Sequence, residues 1–272
     1  LYAKGMVAYV NASVYRPPTI PSWFSEMLPL SFDLALEIGR FRKLMNEQFC
    51  SNKSKEKILD FIFNYLYVDS NAADSVYEYF SEQNSFCEIP SNSRIIVEHY
   101  SDSNSKRKYI VFHTLYGRRV NDCLSRAVAF AVARTQHKDV EIGINDNGFY
   151  VASDKSVNVV KAFGLIKSAE VRKIMEMAIE HTEVLKRRFR HCASRAMMIL
   201  RNYKGHQKRI GRQQVSSMIL LNAVRRIDNN FCILKEARRE VLEDLMDIEN
   251  AQKVLQGIEQ KVIKIKEVST SL

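Results

Sequence analysis

No apolar run in this chain of 272 residues reaches the roughly 18 residues that a membrane-spanning helix needs. The N-terminus also lacks the charged, apolar and small-residue zones of a secretory leader. A cytoplasmic location is the expectation that follows. The five cysteines (Cys50, Cys87, Cys123, Cys192, Cys232) are widely spaced, odd in number and without a CxxC pair, so neither a disulfide framework nor a zinc site is indicated. There is no GxxxxGK[ST] loop to cradle triphosphate oxygens, no HExxH for zinc, no GxSxG elbow and no GxGxxG turn. The six histidines show no ligand spacing. No catalytic residue, metal or cofactor is therefore assigned to this chain, and internal repeats and low-complexity segments are lacking too.

One absence is local. From Lys186 to Arg212 no side chain is acidic, while ten are cationic: Lys186, Arg187, Arg188, Arg190, Arg195, Arg201, Lys204, Lys208, Arg209 and Arg212. What is present elsewhere is ordinary for a folded protein: 46% hydrophobic and 10% aromatic residues, enough to bury a core. The net charge of +10 favours an anionic partner. Arginine outnumbers lysine in the basic zone, and its planar fork binds phosphate bidentately and stacks on bases, so the polyanion expected is nucleic acid. A solvated helix face is the competing reading of any charge run.

The pattern predicts an α+β fold. Met6–Val14 reads as a strand whose sheet partners lie upstream, followed by a loop stiffened by Pro17, Pro18 and Pro21. Leu34, Ile38, Phe41 and Met45 recur at helical spacing and are the expected buried face of a helix over 30–45. Further helices are expected at 55–66 and at 71–86, the latter capped by Asn71. The β-rich runs 95–97 and 109–112 form a hairpin, a helix spans 121–134, and Asn147-Gly148 turns a second hairpin between 140–144 and 149–151. Beyond 168 helices are expected at 168–180, 182–201, 211–227, 233–246 and 248–259, with a loop over 202–211 and a last strand at 262–268. Three units result: 1–54, the end of a β-rich segment with a tryptophan loop and helix; 55–165, an α/β unit; and 166–272, a helical unit bearing the basic zone.

On a helical wheel of 186–201, Phe189, Ala193, Ala196, Met197 and Leu200 fall on one side. Arg187, Arg188, Arg195 and Arg201 fall opposite, with Arg190 at the border. Tyr203, Lys204, Lys208 and Arg209 follow in a loop that mixes an aromatic with bases, suited to stacking plus phosphate contact. A second candidate is the junction 113–121, where Arg118, Arg119 and Asn121 meet a helix N-terminus; a structural turn is its equal alternative. The lone Trp23 is read as packing or as base stacking. The acidic run Glu240, Glu243, Asp244, Asp247 and Glu249 reads as a solvated face rather than a metal site.

Several strings in one order resemble a known family: Pro21-Ser22-Trp23, Leu36-Glu37-Ile38-Gly39-Arg40, His113 to Asn121, Gly143 to Phe149, Arg187 to Ala193, Arg201 to Gly205, Gly211-Arg212-Gln213-Gln214 and Leu234 to Asp247. Together they resemble the region after the motor in large helicase-related (Lhr-type) superfamily 2 helicases, in an archaeal form. The resemblance implies an ATP-dependent 3′-to-5′ helicase in which two RecA-like lobes and a winged helix precede this DEAD/DEAH-associated domain. ATP and magnesium would then serve the parent, not this piece. It also implies that Trp23 and the basic zone, Gln213 included, contact single-stranded or tailed duplex DNA, or an RNA–DNA hybrid. The family often has a glycine soon after that tryptophan, where this chain has Phe24 and Ser25. The alternative from another class is a self-contained nucleic-acid enzyme, glycosylase-like or nuclease-like.

Overall fold

Helices and a small, mainly antiparallel sheet occupy separate stretches of the chain, as the α+β expectation requires. The structure, a computed structural model, describes residues 2–4, 7–9, 28–101, 107–200, 202–203, 205–207 and 209–269; residues 2–4, 7–9, 203, 210 and 269 are described by backbone alone. Strands β1 (Tyr2–Lys4) and β2 (Val7–Tyr9) pair with each other in an antiparallel hairpin.

Three helices follow. Ser31 accepts from the Leu34 amide at 3.3 Å and starts α1 (Phe32–Cys50). Helix α2 spans Lys55–Leu66, and α3 (Ser70–Phe86) is capped by Asp69, not Asn71, through the Ala72 amide at 2.8 Å. They share a small core of Met45, Ile58, Ile62, Ala73, Phe80 and Ile89. The buried face of α1 is rotated from the predicted one: Met45 is buried and Phe41 packs on the core as expected, but Ala35, Gly39 and Arg42 are buried too, whereas Leu34 is 52% and Ile38 39% exposed. Close approach decides this. A β-carbon on Gly39 would lie 2.9 Å from Asn92, and the Arg42 guanidinium lies over the rings of Tyr79 and Phe80, where ring faces attract the cation.

The sheet comes next. Strands β3 (Arg94–Ser101) and β4 (Lys108–His113) form the first predicted hairpin, and β5 (Glu141–Asn145) and β6 (Gly148–Ser153) the second. Asn145 pairs with Gly148 across the turn. Between the hairpins runs α4 (Arg118–Gln136), whose Val120, Leu124, Ala127 and Val128 are buried on the sheet face made by Ile95, Val97, Ile110, Phe112, Phe149 and Val151. Phe112 and Phe149 stack at 4.7 Å between ring centroids.

Helices then layer behind α4. A short helix not foreseen in the sequence, α5 (Val159–Gly164), is capped by Asn158. Helices α6 (Val171–Ile179) and α7 (Glu183–Arg195) follow, and α8 (Ile210–Ile227) packs mainly on α7. Helix α9 (Cys232–Arg239) passes into a π-helical turn over Glu240–Leu245 before α10 (Ile248–Glu259). The larger hydrophobic core draws residues from both sides of position 166, from Ile95 to Leu255. The last strand, β9 (Lys264–Ser269), runs parallel to β3 and completes the order β5-β6-β4-β3-β9.

Helix α7 stops at Arg195, six residues before the predicted end. The amide of Met198 bonds the Ala193 carbonyl at 2.9 Å, and that of Met197 the Ser194 carbonyl at 3.2 Å, with Met197 at φ 57°. This crossed pair of bonds is a Schellman closure, usually built on glycine. Ala196, Met197 and Leu200 consequently lie exposed instead of on the buried side of a longer helix.

Candidate nucleic-acid interface

The basic zone divides into cations that are neutralised and cations that are not. Glu240 is buried at the start of the π-helical turn, 5% exposed. Its carboxylate takes Arg188 at 3.3 Å and also Arg195. The acidic run is only in part the solvated face expected: Asp244 and Glu249 are exposed, but Glu243 pairs with Arg172 and Arg239, Asp244 with Arg239, and Asp247 caps α10 through the Asn250 amide. Among the described residues no group of three His, Cys, Asp or Glu side chains is placed to hold a metal ion.

Arg187 and Arg190 form no ion pair among the described residues. With Glu183 and Lys186 they make one stripe along α7, and a cleft of about 230 Å³ separates it from Gln214, Ser217 and Met218 of α8. Lys186 pairs with Glu183 at 2.6 Å. A larger cleft between α6 and α9, about 580 Å³, is also arginine-lined by Arg172, Arg238 and Arg239, yet each of those is paired with a carboxylate.

Among the described residues no side chain caps helix α8. Arg209 occupies the capping position, where serine or aspartate would accept from the first amides, and no acid lies in the first turn. Arg212 is exposed one turn on. Positive backbone dipoles and two arginines therefore coincide at this end. Gln213 is half-buried there. Arg201, Lys204 and Lys208, the Tyr203 side chain and Trp23 lie outside what the structure describes; the backbone at 202–203 pairs with 206–207 in a two-stranded hairpin, β7 and β8, within the predicted loop.

The junction before α4 is structural. Asp146 lies in the β5–β6 turn, and its Oδ1 accepts from the Arg118 amide at 2.9 Å and the Leu30 amide at 3.0 Å. The helix N-terminus thus holds an anion of its own. Asn121 is fully buried and donates to the carbonyls of Asn145 and Asp146. Arg119 donates to the carbonyls of Glu243 and Met246. Only the Arg118 side chain is left exposed. Gly117 sits at φ 83°, and a β-carbon there would come within 2.5 Å of the Leu30 carbonyl oxygen. Sequence reasoning assigned Asp146 no such role, because its partners lie 28 and 116 residues away.

This α+β domain matches the family described as DEAD/H associated over residues 89–272. The chain belongs to that family. Its whole length is 51% identical to the ATP-dependent helicase Lhr-Core of Methanothermobacter thermautotrophicus, of which it spans 31%. It is 42% identical to the protein of the same name from Saccharolobus solfataricus over 97% of this chain and 30% of that one. The Lhr resemblance is borne out. A solved structure, that of Mycobacterium smegmatis helicase Lhr bound to ssDNA and AMP-PNP, shares the fold with a TM-score of 0.77 at 23% identity, over 95% of this chain and 32% of the other. Among the described residues no helix is long and apolar enough to cross a membrane.

Proposed function

We propose that this chain is the strand-holding segment of an Lhr-type, ATP-dependent helicase that moves 3′ to 5′. The observation that carries the reading is the stripe of Arg187 and Arg190, without a counter-ion among the described residues, beside an arginine-flanked α8 N-terminus that no described side chain caps. Fixed cations of this kind attract phosphates without reading sequence, which suits a surface along which a strand must slide. Whole-length identity to proteins named ATP-dependent helicase, and a shared fold with a helicase described as bound to ssDNA, support it. In the parent, ATP and magnesium act at motor lobes outside this chain. The partner is single-stranded or tailed duplex DNA, or an RNA–DNA hybrid, and Trp23 stacks on the strand.

Binding of a labelled oligothymidylate to the purified chain should weaken with salt at a log–log slope of about −0.7 per phosphate neutralised. Replacing Arg187, Arg190 and Arg212 with glutamine should flatten that slope, and nucleic acid should stimulate no ATP hydrolysis by the chain alone. A slope unchanged by all three substitutions would refute the strand-holding role.

A further inference from the structure

We propose that the cleft between α7 and α8 seats one phosphodiester of a single strand while an adjoining apolar stripe of α8 carries the neighbouring base. The inference rests on the strand-holding reading and narrows it to a built subsite. Four α7 residues, Glu183, Lys186, Arg187 and Arg190, recur at i, i+3, i+4 and i+7, so they share one face and line one wall. Gln214, Ser217 and Met218 line the other wall. Glu183 is answered by Lys186, which leaves two arginine charges without a counter-ion among the described residues. Two cations beside an amide and a hydroxyl offer donors on both sides of a small anion. The cleft, about 230 Å³, is large enough for a tetrahedral phosphate.

The second half of the subsite is apolar. Val215, Met218 and Ile219 share an exposed face of α8; at about 3.6 residues per turn Met218 borders the buried face of Ser217, Leu221 and Val224, while Ile219 lies opposite it. Ile219 is 65% exposed. Met218 belongs to both stripe and cleft, so apolar surface begins where the phosphate wall ends. That juxtaposition selects among polyanions. A duplex keeps its bases stacked inside and would meet the cations alone, whereas a single strand turns out bases that need a surface to lie on. Charge complementarity at the cleft points to nucleic acid as occupant, and the stripe to its single-stranded form.

The test uses the full-length parent without nucleotide, comparing an oligothymidylate with a blunt hairpin duplex by fluorescence anisotropy across a salt series. Arg187→Gln with Arg190→Gln should flatten the single-strand slope by up to about 1.4. Ile219→Ser and Val215→Ser should weaken single-strand binding roughly fivefold or more, leave its slope unchanged and spare duplex binding. Both stripe positions are exposed, so melting temperature should hold. If the arginine changes act but the stripe changes do not, the base-carrying half is wrong while strand holding stands. If neither acts, strand holding itself falls. Should Ile219→Ser instead alter sedimentation or melting and not binding, the stripe is a protein contact and the inference is overturned. Equal weakening of duplex and single strand overturns the selection argued above.

Discussion

Replacing Glu240 with glutamine should make the protein less stable and a tighter binder of single strands at the same time. The Glu240 side chain is 7% accessible, against 26% for Arg188 and 58% for Arg195. Removing one partner from a fully buried ion pair costs about 3–5 kcal/mol, because the other charge is stranded, while an exposed pair is worth about 0–1 kcal/mol. Both arginines here can turn to water, so the expected loss falls between those limits, about 1–3 kcal/mol. At about 3 °C per kcal/mol for a chain of this size, the melting temperature should drop by roughly 3–9 °C. The released guanidinium groups belong to the same helix as Arg187 and Arg190, on the side turned towards Glu240, so a strand that also reaches that side should show a salt slope steeper by up to about 1.4. Calorimetry and anisotropy on one preparation read both effects. Unchanged melting and an unchanged slope would refute the claim that Glu240 withholds two arginines from the surface. A drop in melting with weaker binding would show instead that the pair shapes the interface.

In the full-length parent, Trp23→Ala should keep nucleic-acid-dependent ATP hydrolysis and lose strand separation; normal unwinding, or a fall of many degrees in melting, would count against a stacking role. Asp146→Ala should cost about 1–2 kcal/mol by denaturant titration, since the α4 cap and the Leu30 tether share one carboxylate oxygen. Thiol reagents at neutral pH should label Cys50 and Cys232, which are exposed, well before Cys192, whose thiol burial and the nearby Glu240 push up to about 11, and before Cys123, lifted still more strongly by burial. Fast labelling of Cys192 would mean that the Arg195 region opens readily. Glu259 receives the Ser168 amide and hydroxyl, bonds that hold its pKa below the usual value. Its contribution is present above the unfolded carboxylate pKa and lost as pH falls through the folded one; Glu259→Gln should therefore flatten the acid limb of the stability profile.

Local signals were legible wherever the structure obeys them. The α2 bounds, both hairpins and α10 follow from apolar spacing and turn residues, and the basic zone stands out by its lack of acids. Tertiary contacts set the rest. The α1 face turned inward because Gly39 admits the Asn92 turn and Arg42 finds two aromatic rings, neither visible in a hydrophobic period. The α7 end was hidden because a methionine takes the backbone conformation usually left to glycine. Which arginines remain free depended on Glu240, 45 and 52 residues away from its partners, so charge counting alone could not separate Arg188 and Arg195 from Arg187 and Arg190.

The parallel pairing of β9 with β3 also has a kinetic consequence. Residues 264–269 align with 94–99, so on the ribosome the sheet must wait for about 170 residues of intervening chain before its edge is closed. Contacts of such separation carry a large loop-closure cost and slow folding. Until the last strand emerges, β3 presents open backbone donors and acceptors to other nascent chains. Lys264, Lys266 and Glu267 on β9 then make this strand, an edge among the described residues, a charged one that discourages a further partner, so pairing and protection of β3 from aggregation arrive in the same step.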